Sequence, residues 1–166
     1  MNIGIPKERR PFEYRVGLSP AGAEILVHQG HVIFLEHGAG LGAGFSDQQY
    51  EQAGVKIVYS PHEAFGRAEL VLKLARPMQD EVEWFNPGTT MMGFLHLASA
   101  RQDRVQALLQ QKVNSVAYEQ IQLPDGSMPV LRPLSQIGGQ LAGQIAARYL
   151  QTNFGGKGIL IGGIAG

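Results

Sequence analysis

Short apolar or β-branched runs alternate along this chain with stretches of helical periodicity. The runs are Asn2–Ile5, His31–Glu36, Val55–Val58, Glu69–Leu74, Thr89–Leu95 and Val113–Tyr118. Their alternation with amphipathic segments predicts an α/β fold, an open, mostly parallel Rossmann-like sheet with helices on both faces.

Local signals punctuate the helices. In LSPAGAEILVHQG, Ser19 is placed as N-cap, Pro20 at the first helical position and Gly30 as terminator. FSDQQYEQAG opens on Ser46 with Gln49 in the capping-box position and stops at Gly54. SPHEAFG, MQDEVEWF and SARQDRVQALLQQ read as further helices. In the last of these Ser99 is the expected cap, with Val105, Leu108, Leu109 and Lys112 in helical register.

Beyond Glu119 the pattern changes. IQLPDGSMPVL sets Pro-Asp-Gly-Ser between two apolar runs, a hairpin or excursion. A long helix follows, with Ile137, Leu141, Ile145 and Tyr149 at every fourth position, while Gly138, Gly139 and Gly143 allow another backbone to approach closely. TNFGGKG is linker-like.

Composition narrows the partners. A chain of 166 residues is long enough to bury its own core. With 14 Lys plus Arg against 14 Asp plus Glu there is no electrostatic reason to expect nucleic acid or an anionic membrane, which favours a small molecule or a protein. The lack of cysteine excludes disulfides, thiolate metal sites and a cysteine nucleophile. MNIGIPKERR is not a secretion signal, and no run approaches the roughly 20 apolar residues of a membrane span. A soluble, cytoplasmic protein is expected.

The glycine-rich segments fail one test. A dinucleotide fingerprint needs Gly-x-Gly-x-x-Gly between a strand and a helix, so that the backbone can approach a pyrophosphate. In HGAGLGAGFSD, Ala43 and Phe45 occupy the third-glycine positions. In GKGILIGGIAG, Gly163 and Gly166 have the right spacing, but Ile161 stands where the first glycine belongs. The fingerprint is not in this chain.

Three residues are candidates for chemistry. Lys73, inside the apolar run ELVLKLARP, must find an anion or snorkel to water. His96 ends the run TTMMGFLHLAS, at a strand's carboxyl end where open α/β sheets bind ligands, and an imidazole exchanges protons near neutral pH; the alternative is a hydrogen-bonded structural histidine. Arg15, just before the Ser19 cap, suits bidentate capture of a carboxylate, or a surface ion pair. His28, His31, His37 and His62 have no metal-ligand spacing, and no metal site is expected.

Taken in order, GIPKE…YRVGLSPAG, GAGLGAGFSD, LVLKLARP, GFLHLAS, AYEQIQLPDGSMPVLRPLSQIGG and GGKGILIGGIAG resemble the N-terminal part of the alanine dehydrogenases, within the alanine dehydrogenase and nicotinamide nucleotide transhydrogenase superfamily. The resemblance implies that residues 1–150 form a substrate domain and 151–166 a connector to an NAD-binding domain outside this chain. It implies that Arg15 and Lys73 hold the carboxylate and carbonyl of pyruvate and that His96 is the catalytic acid/base. It further implies that Ser135 contacts NAD across a cleft lined by Leu134, and that the protein is a homo-oligomer, a hexamer in that family. The implied reaction is NAD-dependent, reversible oxidation of L-alanine to pyruvate and ammonia. This chain alone is expected neither to bind NADH tightly nor to oxidise alanine. Saccharopine dehydrogenase and the transhydrogenase α subunit are the alternatives within the resemblance. A non-enzymatic ligand-binding or oligomerisation module is the alternative outside it.

Overall fold

A computed structural model describes residues 1–162. Gly163 and Gly166 of the closing glycine stretch lie outside the described residues. The chain divides into two compact units, residues 1–120 and the segment from Ile121 onward.

In the first unit, six strands match the six apolar runs, each end within one residue: β1 (Asn2–Ile5), β2 (Val32–Glu36), β3 (Lys56–Val58), β4 (Leu70–Ala75), β5 (Thr90–Phe94) and β6 (Asn114–Ala117). They form a single sheet in the order β3-β2-β1-β4-β5-β6, parallel throughout. Parallel neighbours require crossovers. These contain α1 (Pro20–His28), α2 (Asp47–Gln52), α3 (Pro61–Gly66) and α4 (Gln102–Gln110).

The capping signals act as the sequence predicts. Ser19 Oγ accepts the Gly22 amide at 3.2 Å, and Gly30 takes a φ of 86° that glycine tolerates. Ser46 and Gln49 cap each other reciprocally. Ser60 caps α3 through the Glu63 amide at 3.3 Å.

Strand alternation then sorts the core. Ile3, Ile5, Ile33 and Leu35 pack with Ala23 of α1 and Tyr50 of α2, while Phe34 turns to the other face against Ala64 of α3. Between Ile3 and Ile5, a side chain on Gly4 would overlap the Ala64 carbonyl. A second cluster on the side of α3 holds Phe65, Val71, Phe85, Met91 and Leu95.

Three local expectations are corrected. MQDEVEWF forms only a 3-10 turn, Asp80–Trp84, because the Glu81 carboxylate accepts the Met78 amide at 2.7 Å and Pro87 limits the residue before it. Ser99 does not cap α4. Its hydroxyl instead donates to the His96 carbonyl at 3.0 Å, and α4 begins after Arg101 without a side-chain cap. Lys112 falls past α4 in a left-handed conformation, with φ 56°.

In the second unit, the segment after Glu119 is a turn rather than a strand pair. The Leu123 amide donates to the Ser127 carbonyl at 2.9 Å, and Asp125 accepts from the Ser127 hydroxyl at 2.6 Å. α5 (Leu131–Leu150) follows, with Pro133 in its first turn, where its missing N–H costs no helical bond. Among the described residues no helix is long and apolar enough to cross a membrane.

Candidate functional site

The strand order reverses between β1 and β4, the topological switch point of a doubly wound fold, and ligands bind outside the carboxyl ends of strands at such a point. β1 leads into the loop bearing Glu8, Glu13 and Arg15; β4 carries Lys73 toward its end; His96 follows β5.

Lys73 has found its anion, and in fact two. Its Nζ lies 3.3 Å from Glu8 Oε2 and 3.2 Å from Glu81 Oε1. The lysine side chain is 1% exposed, and those of Glu8 and Glu81 are 2% and 1%. Both carboxylates are held by the backbone as well. Glu8 Oε1 accepts the amides of Leu74 at 2.6 Å and Ala75 at 3.4 Å, and Glu81 Oε2 accepts that of Met78. The register of β4 on β5 shifts between Leu72 and Ala75, and Glu8 takes up the amides at that irregularity. A buried lysine so clamped has a fixed position, with a carboxylate on either side of its ammonium.

Arg15 makes the bidentate contact its fork allows, but to its neighbour Glu13, with Nε and one terminal nitrogen each 2.7 Å from a carboxylate oxygen. That pairing holds the Glu13 carboxyl below, and the Arg15 guanidinium above, their ordinary pKa values. Arg15 is half exposed and lines a hollow of about 80 Å³ with Glu8, Tyr14, Gly38 and Gly42. Close backbone packing fixes its loop. A side chain on Gly17 would overlap the Leu72 carbonyl, and one on Gly42 would reach 2.7 Å from that of Tyr14. Tyr50, fully buried, donates its hydroxyl to the Leu18 carbonyl at 2.7 Å.

His96 is held differently. It adopts φ 45°, ψ 45°, a left-handed conformation uncommon outside glycine, although histidine enters it more often than most residues. Glu119, nearly buried, fixes that turn by accepting the amides of Leu95 at 3.2 Å and His96 at 2.6 Å. The imidazole is 57% exposed, its Nδ1 is 3.9 Å from the same carboxylate, and it lines a hollow of about 360 Å³ with Ala98, Ser99 and Ala117.

The structure thus gathers Arg15 and Lys73 around Glu8, which lines the first residue's hollow and pairs with the second. Among the described residues no hydrogen bond or ion pair joins His96 to either. Leu134 and Ser135 lie near the start of α5 in the second unit, Ser135 exposed. Sequence reasoning missed Glu8, Glu81 and Glu119. Glu8 sits in the charged run PKERR and Glu81 in an acidic one; the only hint was that an in-strand lysine calls for buried acids elsewhere.

The fold and the charged groups along its carboxyl edge define a doubly wound α/β domain of the kind that binds ligands at a switch point. The chain belongs to the family described as alanine dehydrogenase/PNT, N-terminal domain, which matches residues 4–138. It is 46% identical to an alanine dehydrogenase of Staphylococcus epidermidis over 166 residues, which is 100% of this chain and 44% of that protein. It superposes on a solved L-alanine dehydrogenase with a TM-score of 0.88 at 42% identity, covering 99% of this chain and 45% of the other. A transhydrogenase structure from Sinorhizobium meliloti aligns with a TM-score of 0.66 at 27% identity, over 72% of this chain and 34% of the other. The chain therefore spans less than half the length of the curated relatives it matches.

Proposed function

We propose that this chain is the substrate-binding part of an NAD-dependent L-alanine dehydrogenase, with residues 1–150 as substrate domain and 151–166 leading to an NAD-binding domain. The observation that carries the reading is the lysine clamped at the switch point between Glu8 and Glu81, beside the loop that presents Arg15.

In this reading Arg15 exchanges Glu13 for the substrate carboxylate, keeping the same two-pronged geometry and fixing the orientation of Cα. Lys73 directs its ammonium at the carbonyl oxygen of pyruvate. Because its side chain is 1% exposed, Glu8 or Glu81 gives up a contact as substrate enters. L-Alanine loses a hydride from Cα and a proton from nitrogen to give an imine; water adds, and ammonia leaves as pyruvate forms. His96 accepts and returns the protons of the water and the leaving amine. Glu119 is the positioning residue that sets the backbone beneath it.

NAD supplies the hydride acceptor. The glycines after β2 do not fit a phosphate-cradling role, since a side chain on Gly40 would meet Tyr50 at 2.6 Å and one on Gly42 would meet Tyr14, so they serve packing. What fits is a lesser contribution, the exposed Ser135 hydroxyl for a polar contact and Leu134 for an apolar one. The protein acts as a cytoplasmic homo-oligomer on a small molecule, with neither nucleic acid nor membrane as partner.

The test is NADH formation by the complete gene product with L-alanine, L-saccharopine or neither. Alanine-dependent reduction of NAD is expected. Reduction with saccharopine alone, or with neither, overturns the assignment.

A further inference from the structure

Every other arginine of the first unit has an acidic partner: Arg9 with Asp80, Arg15 with Glu13, Arg67 with Glu63, Arg101 with Asp103. Among the described residues Arg10, Arg76 and Arg104 pair with no carboxylate. These three come from separate segments, the loop after β1, the stretch after β4 and the first turn of α4, yet line one open groove of about 420 Å³ with Pro11 and Met78. The groove contains none of Arg15, Lys73 and His96.

Arg76 is the least comfortable of the three. Its Nε is closed to solvent and has no acceptor, so it has lost water without gaining a hydrogen bond. Burial, and then the charges of Arg10 and Arg104, lower its pKa, although a guanidinium stays charged at physiological pH. Arg104 stands in the first turn of α4, the end of a helix that disfavours cations. An anion in the groove offsets the mutual repulsion of the three charges and the placement of Arg104 at the helix start.

We propose that Arg10, Arg76 and Arg104 form a binding site for a phosphate group. Three guanidinium forks match a multiply charged tetrahedral oxyanion better than a single carboxylate, because each presents paired donors to separate oxygens. The groove is open, so it admits phosphate either free or carried by a small metabolite.

The experiment follows thermal unfolding and calorimetric titration of the complete gene product with inorganic phosphate, pyrophosphate or glycerol phosphate, at ionic strength held constant with potassium chloride. At least one of these is expected to bind saturably and raise the melting temperature. Binding of glycerol phosphate points to a phosphorylated metabolite, and binding of the inorganic ions alone to free phosphate. Arg76→Gln and Arg104→Gln should each weaken binding at least about tenfold, the loss of a charge-assisted hydrogen bond. Neither variant should melt lower than the parent without anion, because each removes a repelling charge. Three results overturn the proposal: no saturable binding, binding that survives both substitutions, or a fall in melting temperature without anion. The last would mean that an acidic group of the complete protein already pairs with the arginines. None of these readouts depends on alanine oxidation.

Discussion

The ends of β4 and β5 lie side by side in the sheet, and each presents one ionisable side chain next to glutamate, with opposite consequences. At β4, Lys73 is sealed between two buried carboxylates. At β5, Glu119 spends its hydrogen bonds on the backbone and leaves the His96 imidazole more than half exposed. The lysine ammonium is caged by carboxylates on two sides. The histidine is held by its main chain, so that its ring keeps access to water, as the proton transfer proposed for it requires. The difference teaches that the two glutamate environments do different jobs, one electrostatic and one conformational.

The sharpest way to break this comparison is Lys73→Met. It would strand Glu8 and Glu81 as buried, unpaired carboxylates, and we expect a loss of about 3–5 kcal/mol in denaturant unfolding. Adding Glu8→Gln and Glu81→Gln should restore much of that stability without restoring activity. A loss under about 1 kcal/mol for the single variant would show that the cage does not hold two charged acids.

His96→Asn should behave in the contrary way. Asparagine enters the left-handed region readily, and the site is exposed, so stability should shift by no more than about 0.5 kcal/mol. Turnover of the complete enzyme should nonetheless fall about 10²–10⁴-fold. Unchanged turnover would return His96 to a purely structural role.

A smaller effect is expected for Arg15→Lys. A lysine offers a point charge rather than a fork, so the Michaelis constant for pyruvate should rise about tenfold while kcat is largely kept. A fall in kcat alone would place the guanidinium in the chemical step instead of in binding.

Tyr50→Phe tests the scaffold beneath the Arg15 loop. Burial pushes the Tyr50 phenol up to about 12, against an ordinary value of about 10. Its contribution is therefore fully present below pH of about 10 and is lost as pH rises toward about 12, where the unfolded chain ionises first. The substitution should remove this alkaline loss from a pH series of unfolding midpoints. At neutral pH it should cost about 1 kcal/mol, the bond to the Leu18 carbonyl. An unaltered alkaline limb would assign the loss to other groups.

What the sequence disclosed was local. Ser19 with Pro20 and Ser46 with Gln49 act over a few residues, and the apolar runs that became strands carry their own lengths, so both were legible one segment at a time. The acids were not. Glu8 meets Lys73 only because the sheet order brings β4 beside β1, and Glu119 reaches the amide of His96 from the turn after β6, the strand beside β5. The same dependence explains the errors. Ser99 looks like a cap in sequence, but the turn that His96 makes claims its hydroxyl. MQDEVEWF has helical periodicity, but Glu81 is drawn into the lysine cage and its other oxygen closes the turn.

The backbone around Lys73 is pressed from two directions, since a side chain on Gly17 would strike the Leu72 carbonyl and one on Gly93 would come 2.8 Å from that of Lys73. For anyone reshaping substrate choice, this divides the neighbourhood into frozen and free positions. A mutant library that diversifies 17 or 93 spends its members on chains whose β4 is displaced before the pocket is altered. The productive variation lies in exposed side chains beside the site, such as Tyr14, which can change size while the strand beneath stays where two glycines hold it.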